Sequence, residues 1–411
     1  MKITITQSMT IPIDSTAVKY LVAMDSFKGS LSSIEAANAV KEGILRADPE
    51  AIVNVCPLAD GGEGTVDALI YGMNGSFQSV KVSDPLGKAI DCKYGIIHSF
   101  SSDTGNDECD SELCAVIEAA GACGLYLVPD DKRNPLYTTT YGLGEVILDA
   151  LAKGCRKFII GIGGSSTNDG GIGMLEALGA HFLDKGGNEI SRGAIGLENL
   201  HSIDVSGMNE ELCQCSFMIA CDVDNPLCGE KGCSQIFARQ KGADDDSIEK
   251  MDRWMEHYAD LTNDTLKGKN EFIDKDYPGT GAAGGLGFAF KYYLGGELKP
   301  GINIVIKETG LLEYIKNADV IITGEGCMDS QTSMGKAPVG LTRAVKACDT
   351  SKKVVALAGK LGEGAEECKD YGIDECYGIT DYIHYDDFAE YMDKENAYSN
   401  LSKLAENIFK S

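Results

Sequence analysis

The chain has 411 residues, enough for two domains and for a core that needs no covalent staples. Hydrophobic residues at 43% and charged residues at 24% are globular proportions, which exclude disordered, collagen-like and coiled-coil classes. The net charge of −26 sets the chain against a nucleic-acid backbone and against an anionic membrane surface, so no nucleic-acid or membrane partner is expected. An anionic ligand must then be held by local devices: backbone N–H groups, helix N-termini, a few lysines or a divalent metal.

The 15 cysteines are odd in number and scattered singly, as at Cys56, Cys92, Cys109, Cys123 and Cys155. No CxxC occurs, and Cys213 and Cys215 are too close together for a usual zinc pair. They read as small core residues in a reducing compartment. The N-terminal stretch MKITITQSMTIPIDSTA has no continuous apolar run, and no segment approaches a bilayer-spanning length. The expected location is the cytoplasm, as a monomer or homodimer.

Short β-branched runs alternate with amphipathic helices, which predicts an α/β fold with a largely parallel sheet. The first strand is Lys19 to Met24, followed by the loop DSFKGS. Ser32 and Glu35 form a capping box that opens a helix with Ile34, Ala37, Val40 and Ile44 on one face. A strand at Ile52 to Cys56, the loop PLADGGEG and a helix from Thr65 to Met73 come next. The acidic stretch Ser101 to Glu112 reads as an exposed loop. In the middle, Phe158 to Ile162 is a strand, GGSSTNDGG a loop, and Gly173 to Leu178 the start of a helix. Phe217 to Ala220 is a strand ending in CDVDNPL, and Asp244 to Leu266 a charged surface helix. Late in the chain, strand Val320 to Thr323 runs into GEGCMDSQ, a helix spans Pro338 to Ala347, and strand Val354 to Leu357 ends in AGKLGEG. The two ends share a style. The expected division is a Rossmann-like parallel unit from residues 18–80 and 295–411, with an inserted α/β unit at 81–294.

Ligands of open α/β sheets bind at the carboxyl ends of strands, and five loops here fit that place. In GIGGSSTNDGGIG, glycines allow close approach to an anion, the hydroxyls of Ser165, Ser166 and Thr167 can donate, and Asp169 can hold Mg²⁺. A tight turn with Asp as helix cap explains less of that stretch. ADGGEGT sets Asp60 and Glu63 around a glycine pair, where helix capping is an equal reading. DSFKGS offers Asp25, Ser26 and Lys28, a cation for a carboxylate or phosphate unless the lysine is merely solvated. CDVDNPL places Asp222 and Asp224 on one side of an extended segment, against the alternative of an Asp-Asn-Pro turn. ITGEGCMDSQT brings Glu325 and Asp329, then Gly335 and Lys336, but Ser330 stands where a P-loop glycine is needed. GTGAAG at Gly279 to Gly284 matches a dinucleotide pattern, yet DKDYP before it is no strand. None of the five histidines falls in these loops. Base and metal work therefore falls to carboxylates, which points to Mg²⁺-assisted phosphoryl transfer. A nucleotide-dependent dehydrogenase and a non-catalytic small-anion binder are the alternatives.

The ordered set DSFKGSLSS, PLADGGEGT, DPLG, IGIGGSSTNDGG, ACDVDNPL, QKGA, GTGAAGGLG, ITGEG with MDSQT, and GKAP resembles the bacterial glycerate kinase type-1 family from about Lys19 to Tyr377. The resemblance implies ATP-dependent phosphorylation of D-glycerate to 2-phosphoglycerate with Mg²⁺, in a cleft between two α/β domains. It leaves the N-terminal stretch to Ala17, the acidic loop and the tail after Thr380 as additions. Under that reading the ATP phosphates sit on Gly163, Gly164, Ser165, Ser166, Asn168, Gly170 and Gly171. Asp222 or Asp169 holds the metal. Asp25, Ser26, Glu63, Lys241, Glu325 and Asp329 face the substrate, and Lys28, Asp60, Asp169 and Asp222 carry the catalysis, with Asp222 the first choice of base.

Overall fold

The computed structural model describes residues 17–410 apart from 60, 63, 101–110, 269–271, 334 and 386. The chain opens with β1 (Lys19–Met24), α1 (Ser33–Ala47), β2 (Ile52–Val55) and α2 (Thr65–Gly72). It continues with β3 (Ser76–Ser83), β4 (Ala89–Phe100), β5 (Ser111–Glu118), α3 (Tyr141–Ala152), β6 (Lys157–Gly161) and α4 (Ile172–Ala177). Then come β7 (Ser216–Ala220), α5 (Asp245–Thr265), α6 (Ala282–Tyr293), β8 (Glu297–Lys299) and α7 (Gly301–Glu308). The last main elements are β9 (Val320–Gly324), α8 (Ala337–Cys348), β10 (Lys353–Ala358), β11 (Glu375–Gly378) and α9 (Lys394–Phe409).

The first sheet has the order β11-β10-β9-β1-β2, and every pairing is parallel. Numbered within the sheet this is 2-1-3-4-5, the flavodoxin-type winding rather than the six-strand Rossmann order. The order reverses between β1 and β9, so a crevice is expected at their carboxyl ends. Side chains alternate across the sheet, as period-two strands require. Tyr20, Val22, Ile322 and Leu357 pack under α1 and α9; Leu21, Ala23, Ile321 and Ala356 pack under α8. The capping box of α1 forms as read: Ser32 accepts from the Glu35 N–H while Glu35 reaches back to Ser32. Gly43 lets α9 close on α1, since a Cβ there would lie 2.2 Å from the Ser402 carbonyl oxygen.

The second sheet has the order β8-β7-β6-β5-β4-β3. β5 to β8 pair in parallel, and β3 and β4 add an antiparallel meander that the strand pattern did not predict. β3 and β8 pair here, although the sequence division gave residues 76–80 and 295–299 to the chain-end unit. One face, with Ile117, Phe158, Ile160 and Phe217, lies under α3, α4 and α6. α5 covers that layer from outside, burying Met251, Met255 and Tyr258, so it is half core and not a purely surface helix. The other face, with Val116, Ile159 and Met218, joins the same core as the first sheet through α2 and α7. Leu69 of α2 is fully buried in that shared layer, and truncating it to alanine should cost about 2–5 kcal/mol.

Candidate active site

Two loops meet at the switch point of the first sheet. After β1, the Asp25 N–H donates to the Gly324 carbonyl (2.8 Å) and Asp25 Oδ1 accepts from the Ser26 N–H (2.7 Å). A Cβ on Gly326 would lie 3.1 Å from the Phe27 Cα, so the two loops are in contact. Asp25 is buried and Lys28 is exposed. After β9, Glu325 is nearly buried and accepts from the Thr332 hydroxyl (2.7 Å). Lys336 Nζ stands 3.8 Å from Glu325 and 3.9 Å from Asp329. The structure thus gathers Asp25, Ser26, Glu325 and Asp329 as one group, with Lys28 at its rim.

The loop between β2 and α2 links this group to the second sheet. Leu58 donates its N–H to the Met24 carbonyl (2.9 Å), keeping the chain beside β1. Gly61, at φ 93°, then approaches β7 so closely that a Cβ would lie 2.4 Å from the Ala220 Cβ. A Cβ on Gly161 would lie 2.1 Å from the Gly61 carbonyl oxygen. Only glycine permits that contact. The N-terminus of α2 donates to Glu118 at the end of β5, from Gly64 (3.0 Å) and Val66 (2.9 Å). Glu118 escaped the sequence reading. Its signal was a lone acid closing the apolar run LCAVI. Asp60 and Glu63, expected catalytic and substrate residues, lie outside the described residues.

The glycine loop after β6 departs most from expectation. Only Gly163 and Gly164 are exposed; residues 165–171 are buried. Ser166 gives its N–H (2.9 Å) and hydroxyl (3.0 Å) to the Cys123 carbonyl. Asn168 Nδ2 donates to Ser234 Oγ (2.9 Å). Asp169 accepts from the Thr140 N–H (2.9 Å), the Thr140 hydroxyl (3.0 Å) and the Gly171 N–H (3.1 Å). Burial raises its carboxyl above the usual carboxylate range, against the lowering effect of those bonds. Gly170 donates to the Gly284 carbonyl (2.9 Å). A Cβ on Gly284 would lie 2.2 Å from the Thr167 carbonyl oxygen. Ser166, Asn168, Asp169, Gly170 and Gly171, expected to contact the phosphates, are thus buried within a packed loop, with Asp169 accepting three internal hydrogen bonds and Thr167 Oγ1 and Asn168 Oδ1 left without a partner. The start of α4, expected to offer free N–H groups, is closed by Asp169 and by the Thr140 hydroxyl, which takes the Met174 N–H (2.9 Å).

GTGAAG proves to be the other half of that contact. It opens α6 with positive φ at Ala283, Gly284 and the following Gly285 (53°, 70° and 94°); Gly284 and Gly285 lie against the 165–171 loop, while Gly279 and Gly281 approach Cys221 and Pro226 after β7. No strand precedes it among the described residues, which removes the dinucleotide reading.

Lys241 is the strongest electrostatic feature of this edge. Its side chain is buried, and Nζ donates to Ser165 Oγ (3.1 Å) and to the Thr167 carbonyl (2.6 Å). Burial pushes its ammonium down to about 8, partly opposed by Cys233, Cys123 and Asp169. Both of these hydrogen-bond partners are neutral oxygens. Asp222 is exposed beyond β7, and its Oδ1 accepts the Gly301 N–H at the start of α7 (3.0 Å). Among the described residues no group of three or more His, Cys, Asp or Glu side chains is placed for a metal. Mg²⁺ needs no such cage, because one or two carboxylates with substrate phosphates suffice. Asp222 fits that donor role, and Asp169 does not. One depression, of about 490 Å³, lies elsewhere, between the carboxyl end of α2 and Tyr314. It collects none of these groups.

The model of the family described as the glycerate kinase family matches residues 20–411. The match runs through the C-terminal helix, so the tail read as an addition lies within the family span. A glycerate kinase of Bacillus subtilis strain 168 is 42% identical over 398 residues, covering 95% of this chain and 100% of that protein. A glycerate 2-kinase of Escherichia coli K12 is 42% identical over 392 residues, covering 95% and 97%. A crystal structure from Salmonella typhimurium LT2, provisionally titled glycerate kinase 2, superposes with a TM-score of 0.82 at 40% identity, covering 96% of this chain and 98% of that one. Fold, ordered motifs and relatives agree: the chain belongs to the glycerate kinase family.

Proposed function

We propose that this kinase transfers the γ-phosphoryl group of ATP to D-glycerate and releases 2-phosphoglycerate. The convergence of the β1, β2, β6, β7 and β9 loops at one edge, with the buried Lys241 beneath an exposed glycine turn, carries that reading. The nucleotide phosphates rest on Gly163, Gly164 and Ser165, whose hydroxyl Lys241 holds. D-Glycerate lies between this turn and the switch-point group, facing Asp25, Ser26, Glu325 and Asp329. Lys28 offsets its charge from the rim. Mg²⁺, when bound, offsets charge on the transferring group, and Asp222 is the residue that would hold it. The acceptor hydroxyl loses its proton to a carboxylate of this edge, Asp222 first and Asp60 second. Positioning and fixed charge supply most of the acceleration. We also read the chain as two units, one around each sheet, working in the cytoplasm as a monomer or homodimer; free thiols at all described cysteines fit that setting.

Phosphorus NMR of the product tests the regiochemistry. A single 2-phosphoglycerate resonance supports the reading, and 3-phosphoglycerate refutes it. Asp222→Asn should lower kcat by about 100-fold or more. Near-wild-type turnover removes Asp222 from the chemistry.

A further inference from the structure

We propose that Thr323, Lys336 and the first turn of α8 form a carboxylate subsite, which takes the acid end of a small 2-hydroxy acid. Its identification with D-glycerate rests on the function proposed above; the subsite itself rests on geometry.

Thr323 is fully buried, and its hydroxyl has no hydrogen-bond partner. Leaving a buried hydroxyl unmet is costly, which points to a missing partner at that spot. Its direction follows from the strand. Ile321, two residues earlier on the same face, packs in one core with Ala337, Val339 and Leu341 of α8. β9, α8 and β10 form a crossover between parallel neighbours, so α8 begins where β9 ends. The Thr323 side chain therefore lies buried on the α8 side of the sheet, near the carboxyl end of β9, from which the chain runs towards α8. No side chain caps the N-terminus of α8, and Pro338 stands in its first turn. A twelve-residue helix presents partial positive charge there.

Lys336 adds a cation at the same point. Its Nζ is within ion-pair range of Glu325 and Asp329 but beyond hydrogen-bond length from both, at 3.8 and 3.9 Å. The two acids hold the ammonium in place without occupying its donors. Across the strand pair, Met24 faces Gly324, and two residues on, Ser26 carries a second buried hydroxyl without a partner.

The mixture of signs selects the ligand. Two carboxylates beside one ammonium disfavour a phosphate dianion. A hydroxy monoacid suits both: its carboxylate takes the Thr323, Lys336 and helix donors, and its hydroxyls donate to Glu325 or Asp329.

Calorimetric titration without nucleotide, using D-glycerate and glycolate as probes, tests this directly. Lys336→Met should weaken both about tenfold or more, while the KM for ATP stays within about twofold. Thr323→Val should raise the melting temperature of the ligand-free protein, because it removes the unmet hydroxyl, yet shrink the shift that D-glycerate produces. Unchanged affinity for both acids in Lys336→Met, or a lower ligand-free melting temperature with an undiminished D-glycerate shift in Thr323→Val, overturns the subsite. Wild-type protein that binds D-glycerate but never transfers phosphate sinks the kinase reading and leaves the subsite standing.

Discussion

The carboxyl edges of the two sheets are built from similar-looking sequence but hold their loops differently. At the second sheet, GGSSTNDGG is mostly swallowed: α6 covers it, Asp169 braces it, only Gly163 and Gly164 reach the surface, and Thr167 Oγ1 and Asn168 Oδ1 are left unmet in its interior. At the first sheet, the loops after β1 and β9 hold unmet hydroxyls at Ser26 and Thr323 and a lysine anchored by charge alone. Glycine density therefore reports close backbone approach, which serves packing as readily as ligand binding. Unmet buried hydroxyls occur at both edges, at Thr167 as at Ser26 and Thr323, and what sets the first sheet apart is the Lys336 ammonium standing beside Glu325 and Asp329.

The largest effect expected from this contrast is at Gly284. It sits at φ 70°, and Gly284→Ala would drive a Cβ to within 2.2 Å of the Thr167 carbonyl oxygen. Urea unfolding should show a loss of more than about 3 kcal/mol, enough to deplete folded protein. A stable Gly284→Ala protein would show that the two glycine motifs are not pressed together.

Asp169→Asn comes next. It replaces an acceptor of three buried bonds, so stability should fall by about 2–4 kcal/mol while the Mg²⁺ concentration for half-maximal rate stays within about twofold. A tenfold rise in that concentration at unchanged stability would restore Asp169 as a metal ligand.

Lys241→Met sharpens the comparison through pH. The Lys241 ammonium, pushed down to about 8, is charged below that pH, where the cost of burying it is fully present. Between about 8 and the ordinary lysine value near 10.4 that cost is relieved, and the charge proposed to hold phosphate is lost with it. The wild-type KM for ATP should therefore climb above pH 8. Lys241→Met should lose that limb, turn over about 100-fold more slowly and melt no lower than the wild type. A preserved alkaline limb in the variant assigns it to another group.

The smallest structural effect is at Lys28, which is exposed at the rim. Lys28→Ala should leave the melting temperature unchanged and raise the KM for D-glycerate about tenfold. No change in KM makes it an ordinary surface lysine.

Much of the fold was legible because its signals are local. The β1 run, the Ser32–Glu35 box and the buried strand Val320–Gly324 carry their own propensity and caps. The meander β3–β4–β5 was not, since its register is fixed by distant partners and interrupted by the acidic stretch. Site residues divide the same way. Loop position placed Asp25 and Glu325 directly after strands, as the structure has them, because strand termini can be read from pattern; Lys241 lies in a short helical turn far from any strand end. Burial cannot, so the pattern did not show that Thr140 holds Asp169 and Ser234 holds Asn168 Nδ2 inside the loop under α6. Thr323 was invisible for the converse reason: a threonine closing a strand carries no chemical signature until its hydroxyl is found unmet.

ADP release by the purified chain, supplied with ATP and Mg²⁺ with and without D-glycerate, tests the central claim most directly. Release that depends on D-glycerate is the predicted result. Silence at millimolar D-glycerate, or release at the same rate without it, contradicts the account.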